Sequence, residues 1–255
     1  MPAPPYPEID HKTLKLIVGV VALLLATLTN LFASSPLESI SASYYETGLS
    51  HVIFIGFLSA MSAFLIAYNG YTQWQMIFSK VAAVTTLCVA LFPCGCASLP
   101  VSCVMIVPSV CKWNLVKIQH VHFTSAAVTF SILALFCYVF FQRALIKGTA
   151  QAKSRAYIYA VCGVVIVGAI VVLGVDHLII CLGISRLTFY GDRAALIAFG
   201  VSWLTASHYL PFITTKDERL ARAKRLSSAC TDPTEKTASP MGYFVDRDAQ
   251  RAARR

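Results

Sequence analysis

The sequence predicts an all-α polytopic membrane protein, a bundle of six transmembrane helices. Its mean hydropathy is +0.67, and 57% of its 255 residues are hydrophobic against 13% charged, too few polar residues to cover a water-soluble core of this size. Six apolar stretches each approach the ~20 residues that cross ~30 Å of hydrocarbon. Basic residues collect at alternate ends of these stretches. The predicted spans cover residues 14–33, 50–68, 80–98, 121–141, 156–174 and 194–213.

Each span is interpreted as a helix, because lipid offers no hydrogen-bond partner to an open backbone. The apolar run of the first exceeds the ~7–15 residues of a secretory signal core, which predicts an uncleaved anchor. The second follows a segment rich in Ser and Tyr, and the third opens on Lys80. The fourth begins beside His120 and His122, the fifth follows Arg155, and the sixth follows Asp192.

The distribution of Lys and Arg predicts the orientation. Seventeen of the 21 lie at the start of the first span, at the start of the third, between the fourth and fifth, or after the sixth. Alternation through six spans brings all these ends to one face, and the positive-inside rule places that face and both termini in the cytosol. The net charge of +9 is therefore a topology signal. No groove of interleaved basic and aromatic residues indicates a nucleic-acid partner.

Three regions follow from this pattern. Residues 1–13 form a Pro-rich cytosolic segment, residues 14–213 the six-span domain, and residues 214–255 a basic, largely disordered cytosolic tail. We expect the tail to lie near anionic lipids of the inner leaflet, each basic residue contributing ~1 kcal/mol of attraction.

The loop after the third span carries four cysteines among apolar residues. On the exoplasmic side, where thiols tend to oxidise, they predict one or two disulfides, with the first two pairing with the last two. A zinc site and simple apolar packing are the alternatives. The disulfide candidates are Cys94, Cys96, Cys103 and Cys111.

The exoplasmic ends also collect titratable residues. We predict a pocket there, with His122 as base or donor and Asp192 or Asp176 orienting its imidazole. Asp176 interrupts a long apolar run, and ionisable groups at that depth usually face protein or water. The remaining ligand-binding candidates are Tyr45, Glu46, His51 and His177.

Two other interpretations of this cluster stay open. Its members are also typical of ordinary interfacial residues, with acids capping helix N-termini, or of a structural ion-pair network. The chain contains no HExxH, GxSxG, P-loop or Gly-rich dinucleotide motif, so no established catalytic motif supports the pocket.

Several short motifs resemble a family of uncharacterised six-span membrane proteins of mainly bacterial origin. The motifs are Ser41-Ala42-Ser43-Tyr44-Tyr45-Glu46-Thr47-Gly48, Ala90-Leu91-Phe92-Pro93, His122 with Ser125-Ala126-Ala127, and Asp192 leading into Ala198-Phe199-Gly200-Val201-Ser202-Trp203. The layout is more remotely similar to the FRAG/DRAM/Sfk membrane proteins, a resemblance that implies lipid handling or remodelling. His51-Val52 stands where the first family often has Arg-Asp, so the acid is missing here.

The expected function is lipid binding or remodelling in this exoplasmic pocket, with membrane lipids as partners. A non-catalytic membrane scaffold or regulator is the first alternative, with the tail contacting cytosolic partners. A metal-dependent membrane hydrolase using His51, His122, Asp176 and Asp192 is the second. A transporter is disfavoured, because the spans hold few charges and show no inverted repeat.

Overall fold

A computed structural model describes residues 11–70, 72–92, 94, 114–176 and 186–209, all within the compact unit Ile9–Ile213. Over these residues the chain is all-α, without strands, as the sequence predicts. A 3₁₀ helix spans Ile40–Tyr45. The α-helices are α1 His11–Leu31, α2 Leu49–Ala67, α3 Gln73–Leu91, α4 Asn114–Lys147, α5 Ala150–Val175 and α6 Leu187–Ser207.

The six helices form a closed ring. Each helix packs against the next along the chain, and α6 returns to pack against α1. The 3₁₀ helix contacts α1, α2 and α6 at one end of the ring. Aromatic side chains fill the opposite half, where the Trp203 ring lies 5.3 Å from Tyr68 and 5.7 Å from Phe136, centroid to centroid. The interior is therefore well packed in one half.

Five of these helices, α1 to α5, are long and apolar enough to cross a membrane. The sixth, α6, has the same length as α1 but a more polar sequence. Its Ser202, Thr205 and Ser207 are buried against neighbouring helices rather than facing outward. Asp192 and Arg193 in its second turn lower its hydropathy further, which explains its weaker signal.

The boundaries of the third span differ most from the prediction. The predicted span, 80–98, lies seven residues later than α3. Thr72 caps the helix by accepting a hydrogen bond from the Gln75 N–H at 3.3 Å, and this sets its start. Lys80 lies inside the helix, and its ammonium reaches the Ile66 carbonyl and Asn69 Oδ1 at the end of α2. Lys80 therefore does not mark the start of the helix.

Glycines allow α1 and α6 to cross closely. A Cβ on Gly200 would lie 2.9 Å from the Gly19 carbonyl oxygen and 2.8 Å from Leu23 Cγ. A Cβ on Gly19 would lie 2.9 Å from the Gly200 carbonyl oxygen. Small residues that let backbones approach are typical of helix pairs in membranes.

Hydroxyl side chains join other helices. Ser50 Oγ donates to the Thr29 carbonyl at 2.8 Å, and Thr85 and Thr129 share a hydrogen bond of 2.7 Å between their hydroxyls. In a membrane such bonds hold helices together where apolar burial cannot, because lipid is equally apolar.

The two ends of the ring differ in chemistry. At the end where α1 begins, the Lys15 ammonium lies 4.9 Å from the Phe140 ring, and Arg155 donates to His208 Nδ1 at 2.8 Å. We call this the Lys15 end. The other, where α4 and α6 begin, carries His122 and Asp192, and we call it the His122 end. Lys15 and Arg155 thus lie at the opposite end of the ring from His122 and Asp192. The 1–10 segment and the tail after 209 lie outside the described residues.

Candidate functional site

A cavity of about 670 Å³ lies inside the ring and is lined by all six helices and the 3₁₀ helix. Its volume falls within the ~300–1,000 Å³ of small-molecule sites. Most of the walls are apolar. These side chains include Leu25, Phe54, Leu58, Met61, Leu133 and Leu196.

The titratable lining residues lie at the His122 end. His120 and His122 come from the start of α4, Asp176 follows α5, and Asp192 lies in the second turn of α6. Ser41 of the 3₁₀ helix lines the same end. All three residues predicted as catalytic therefore line one cavity, although they are distant in sequence. An amphiphile with one polar end fits this arrangement.

His122 is held by backbone groups. Its side chain is 3% exposed, and Nδ1 donates to the Phe92 carbonyl at 2.7 Å, just beyond α3. The Val89 carbonyl also lies within hydrogen-bonding reach of the ring. Since a carbonyl only accepts, the Phe92 contact requires the proton on Nδ1. The orienting role expected for a carboxylate is filled by the Phe92 carbonyl.

Asp192 connects α6 to the 3₁₀ helix. Its carboxylate accepts a hydrogen bond from the Ile40 N–H. The 3₁₀ helix is itself capped by Ser39, whose Oγ accepts from the Ala42 N–H at 3.0 Å. The carboxylate therefore fixes the segment that supplies Ile40 and Ser41 to the cavity.

A second set of bonds ties the same loop to the start of α6. Arg186 has a left-handed backbone, with φ of 61°, and its Nε donates to the Leu37 carbonyl at 2.8 Å. The Phe189 N–H donates to the Glu38 carbonyl at 3.0 Å. The His122 end is thus held by bonds between segments far apart in sequence.

Cys94 lies beside this cluster as a free, buried thiol. It is hydrogen-bonded to the Ser41 and Ser39 side chains and lies close to Asp192. Burial raises the pKa of the Cys94 thiol, which keeps it protonated and weakly nucleophilic at neutral pH. Cys94 is not bonded to any other described cysteine. The other disulfide candidates, Cys96, Cys103 and Cys111, lie outside the described residues.

The predicted ligand-binding residues just before α2 and in its first turn have other contacts and do not line the cavity. Glu46 accepts a hydrogen bond from the Ser34 N–H at 3.0 Å, and His51 Nδ1 donates to the Tyr44 carbonyl at 2.6 Å. Tyr45 packs edge to face on Tyr44, with ring centroids 5.4 Å apart. These contacts shape the loop between α1 and α2. His177 lies outside the described residues.

Sequence reasoning missed the apolar part of the site. Leu58, Met61 and Leu133 look like ordinary core positions, and only the three-dimensional divergence of the helices leaves space beside them. Within the ranges that the structure describes, no three His, Cys, Asp or Glu side chains form a group that could hold a metal ion.

No family model, no curated protein and no solved structure matches this chain. The resemblance to six-span membrane families stays a prediction, and the arguments about function rest on the geometry of the cavity.

Proposed function

We propose that this is a six-span membrane protein with cytosolic termini that binds a membrane lipid inside its helical ring. The lipid headgroup lies at the His122 end, on the exoplasmic side, and an acyl chain extends into the cavity. The observation that carries the proposal is the cavity itself, apolar along its walls and titratable at one end.

The topology rests on α6 as the sixth span. At 21 residues, α6 is about 31 Å long at 1.5 Å per residue, enough to cross the hydrocarbon core. It closes the ring between α5 and α1, both of which are long and apolar enough to span. The basic residues of the Lys15 end then face the cytosol by the positive-inside rule.

The depth of the cavity fits one leaflet. Its lining on α4 runs from His120 to Leu133, about 20 Å along the helix axis. That is about half of a bilayer of ~40–45 Å including its headgroup regions. The titratable residues therefore lie near headgroup level, and the apolar walls lie where an acyl chain of the same leaflet ends.

The polar end determines which lipid binds. An acyl chain gains little by leaving the bilayer, because lipid tails are as apolar as the cavity walls. Discrimination must come from hydrogen bonds to the headgroup, each worth about 0.5–1.5 kcal/mol, or about 1.5–3 kcal/mol when one partner is charged. His122, Asp192 and Ser41 are the side chains placed to make them.

Binding accounts for the site better than lipid remodelling. A remodelling reaction requires a nucleophile or an activated water. The pKa of Cys94 is raised rather than lowered, and His122 is oriented by a backbone carbonyl. We therefore assign these groups to recognition.

Photolabelling tests the proposal. The protein is reconstituted in vesicles containing a phosphatidylcholine with a diazirine in one acyl chain, and labelled peptides are mapped by mass spectrometry. We expect label on lining residues of α2 and α4. Ala126 lines the cavity, whereas Ala63 faces outward on α2. Ala126→Phe should therefore abolish cavity labelling, and the matched control Ala63→Phe should keep it.

Leu58→Trp is a second variant that fills the cavity from α2, and it should also abolish cavity labelling. It keeps the proposal testable if Ala126→Phe fails to fold. Labelling confined to outward-facing residues, or equal cavity labelling in Ala126→Phe and Ala63→Phe, would refute lipid binding in the ring.

A further inference from the structure

The cavity reaches the surface along one stripe of α4. His120, Thr124 and Ala127 line the cavity and are also exposed. They recur at intervals of four and three residues, so they lie on one face of the helix. On α1 and α2, by contrast, the lining residues are buried. The described part of the chain therefore opens beside α4.

The neighbour across this opening is α5. In the Lys15 half of the ring the two helices pack closely, with a Gly163 Cβ position 3.5 Å from Cys137 Cβ and the Phe140 and Tyr159 rings 5.6 Å apart. Towards the His122 end, α5 packs against α6 instead. A Cβ on Gly191 of α6 would lie 2.9 Å from Leu173 Cδ1 of α5.

The separation shows at Gly174. This residue lines the cavity, and a Cβ there would meet no neighbouring heavy atom of the described residues within 4 Å. It lies eleven residues after Gly163, close to three full helical turns, so both glycines occupy the face of α5 that points to α4. The two helices thus form a V that is closed at the Lys15 end and open at the His122 end.

The rims of this gap are apolar on the outside. Val121 and Val128 of α4 are 38% and 40% exposed, and Val167 and Val171 of α5 are 49% and 56% exposed. Exposed valines at such density suit contact with hydrocarbon rather than water. The gap therefore faces the acyl-chain region of the bilayer.

We propose that the gap between α4 and α5 is a lateral portal through which an acyl chain passes between the bilayer and the cavity. The proposal rests on the lipid-binding function above and adds its route and direction. The ligand class is a membrane-resident lipid that enters sideways from the exoplasmic leaflet. Its headgroup stays at the level of His120 and Asp176, which flank the opening.

The test measures how fast the photoactivatable lipid enters the cavity. Diazirine phosphatidylcholine vesicles are mixed with the reconstituted full-length protein, and cavity labelling is followed over time. Gly174→Phe places a ring in the gap. Gly168→Phe is the matched control, because Gly168 lies on the same helix, is exposed and does not line the cavity. We expect Gly174→Phe to slow labelling at least fivefold relative to Gly168→Phe, and Gly174→Val to slow it less.

The outcomes separate the portal from lipid binding. Equal rates in Gly174→Phe and Gly168→Phe, with labelling still blocked by Ala126→Phe, would overturn the portal and keep the binding site. Labelling that Ala126→Phe does not reduce would overturn both.

Discussion

Replacing Gly200 by alanine should separate α1 from α6. The added Cβ would lie 2.8 Å from Leu23 Cγ and 2.9 Å from the Gly19 carbonyl oxygen. Leu23 can rotate, but the carbonyl belongs to the backbone of α1, so the helices themselves must move. Forcing a methyl group into such a contact costs about 1–3 kcal/mol.

The control is Gly168→Ala on α5, where a Cβ meets no neighbouring atom of the described chain within 4 Å. Both substitutions gain the same helix propensity, about 1 kcal/mol, so their difference isolates the packing cost. At about 2–4 °C per kcal/mol for a domain of this size, Gly200→Ala should have a Tm about 2–12 °C below that of Gly168→Ala.

The assay is thermal unfolding in detergent, followed by tryptophan fluorescence, because Trp203 is fully buried one turn from the crossing. An equal or higher Tm for Gly200→Ala would refute the close approach of α1 and α6 and the closure of the ring.

Three further predictions follow from the His122 end and the topology. Asp192→Ala leaves the Ile40 N–H without its acceptor and should lower the free energy of unfolding by about 1–3 kcal/mol, whereas Asp192→Asn keeps an acceptor and should lower it less. Equal losses in the two variants would contradict the hydrogen bond between Asp192 and Ile40. Because burial raises the pKa of Cys94, its thiolate fraction at pH 7 is small, so N-ethylmaleimide should label Cys94 mainly after denaturation, and the labelling rate should rise about tenfold per pH unit. Rapid labelling of Cys94 in the native protein at pH 7, measured by peptide mass spectrometry, would argue against this burial. A C-terminal epitope tag should resist protease added to intact cells and be cleaved after permeabilisation, and cleavage in intact cells would reverse the proposed orientation.

The fold class followed from the sequence because spanning helices must be long and apolar. Hydropathy records which residues face lipid, however, and not which residue caps a helix. The Thr72 hydroxyl caps the start of α3. Hydropathy does not detect such a cap, so the predicted span began at Lys80 instead. The hydropathy of α6 is low for a related reason, since Asp192 and Arg193 lower it although the helix has the length of a span.

The site was predictable only at its polar end. Asp176 and Asp192 stood out because ionisable groups beside apolar spans need a polar environment. Glu46 met the same criterion, yet its carboxylate binds the Ser34 N–H in the loop, a pairing that sequence spacing does not reveal. The cavity was not predictable, because it depends on the tilt of α5 towards α6 at Leu173 and Gly191.

The most direct test of lipid binding is native mass spectrometry of the purified full-length protein released from detergent micelles. If the ring binds a lipid, the wild type and Ala63→Phe should retain an adduct with the mass of a single membrane lipid. Ala126→Phe, which fills the cavity, should lose that adduct while keeping the Tm of Ala63→Phe. A wild type without any lipid adduct, or an adduct that survives equally in Ala126→Phe, would contradict the account.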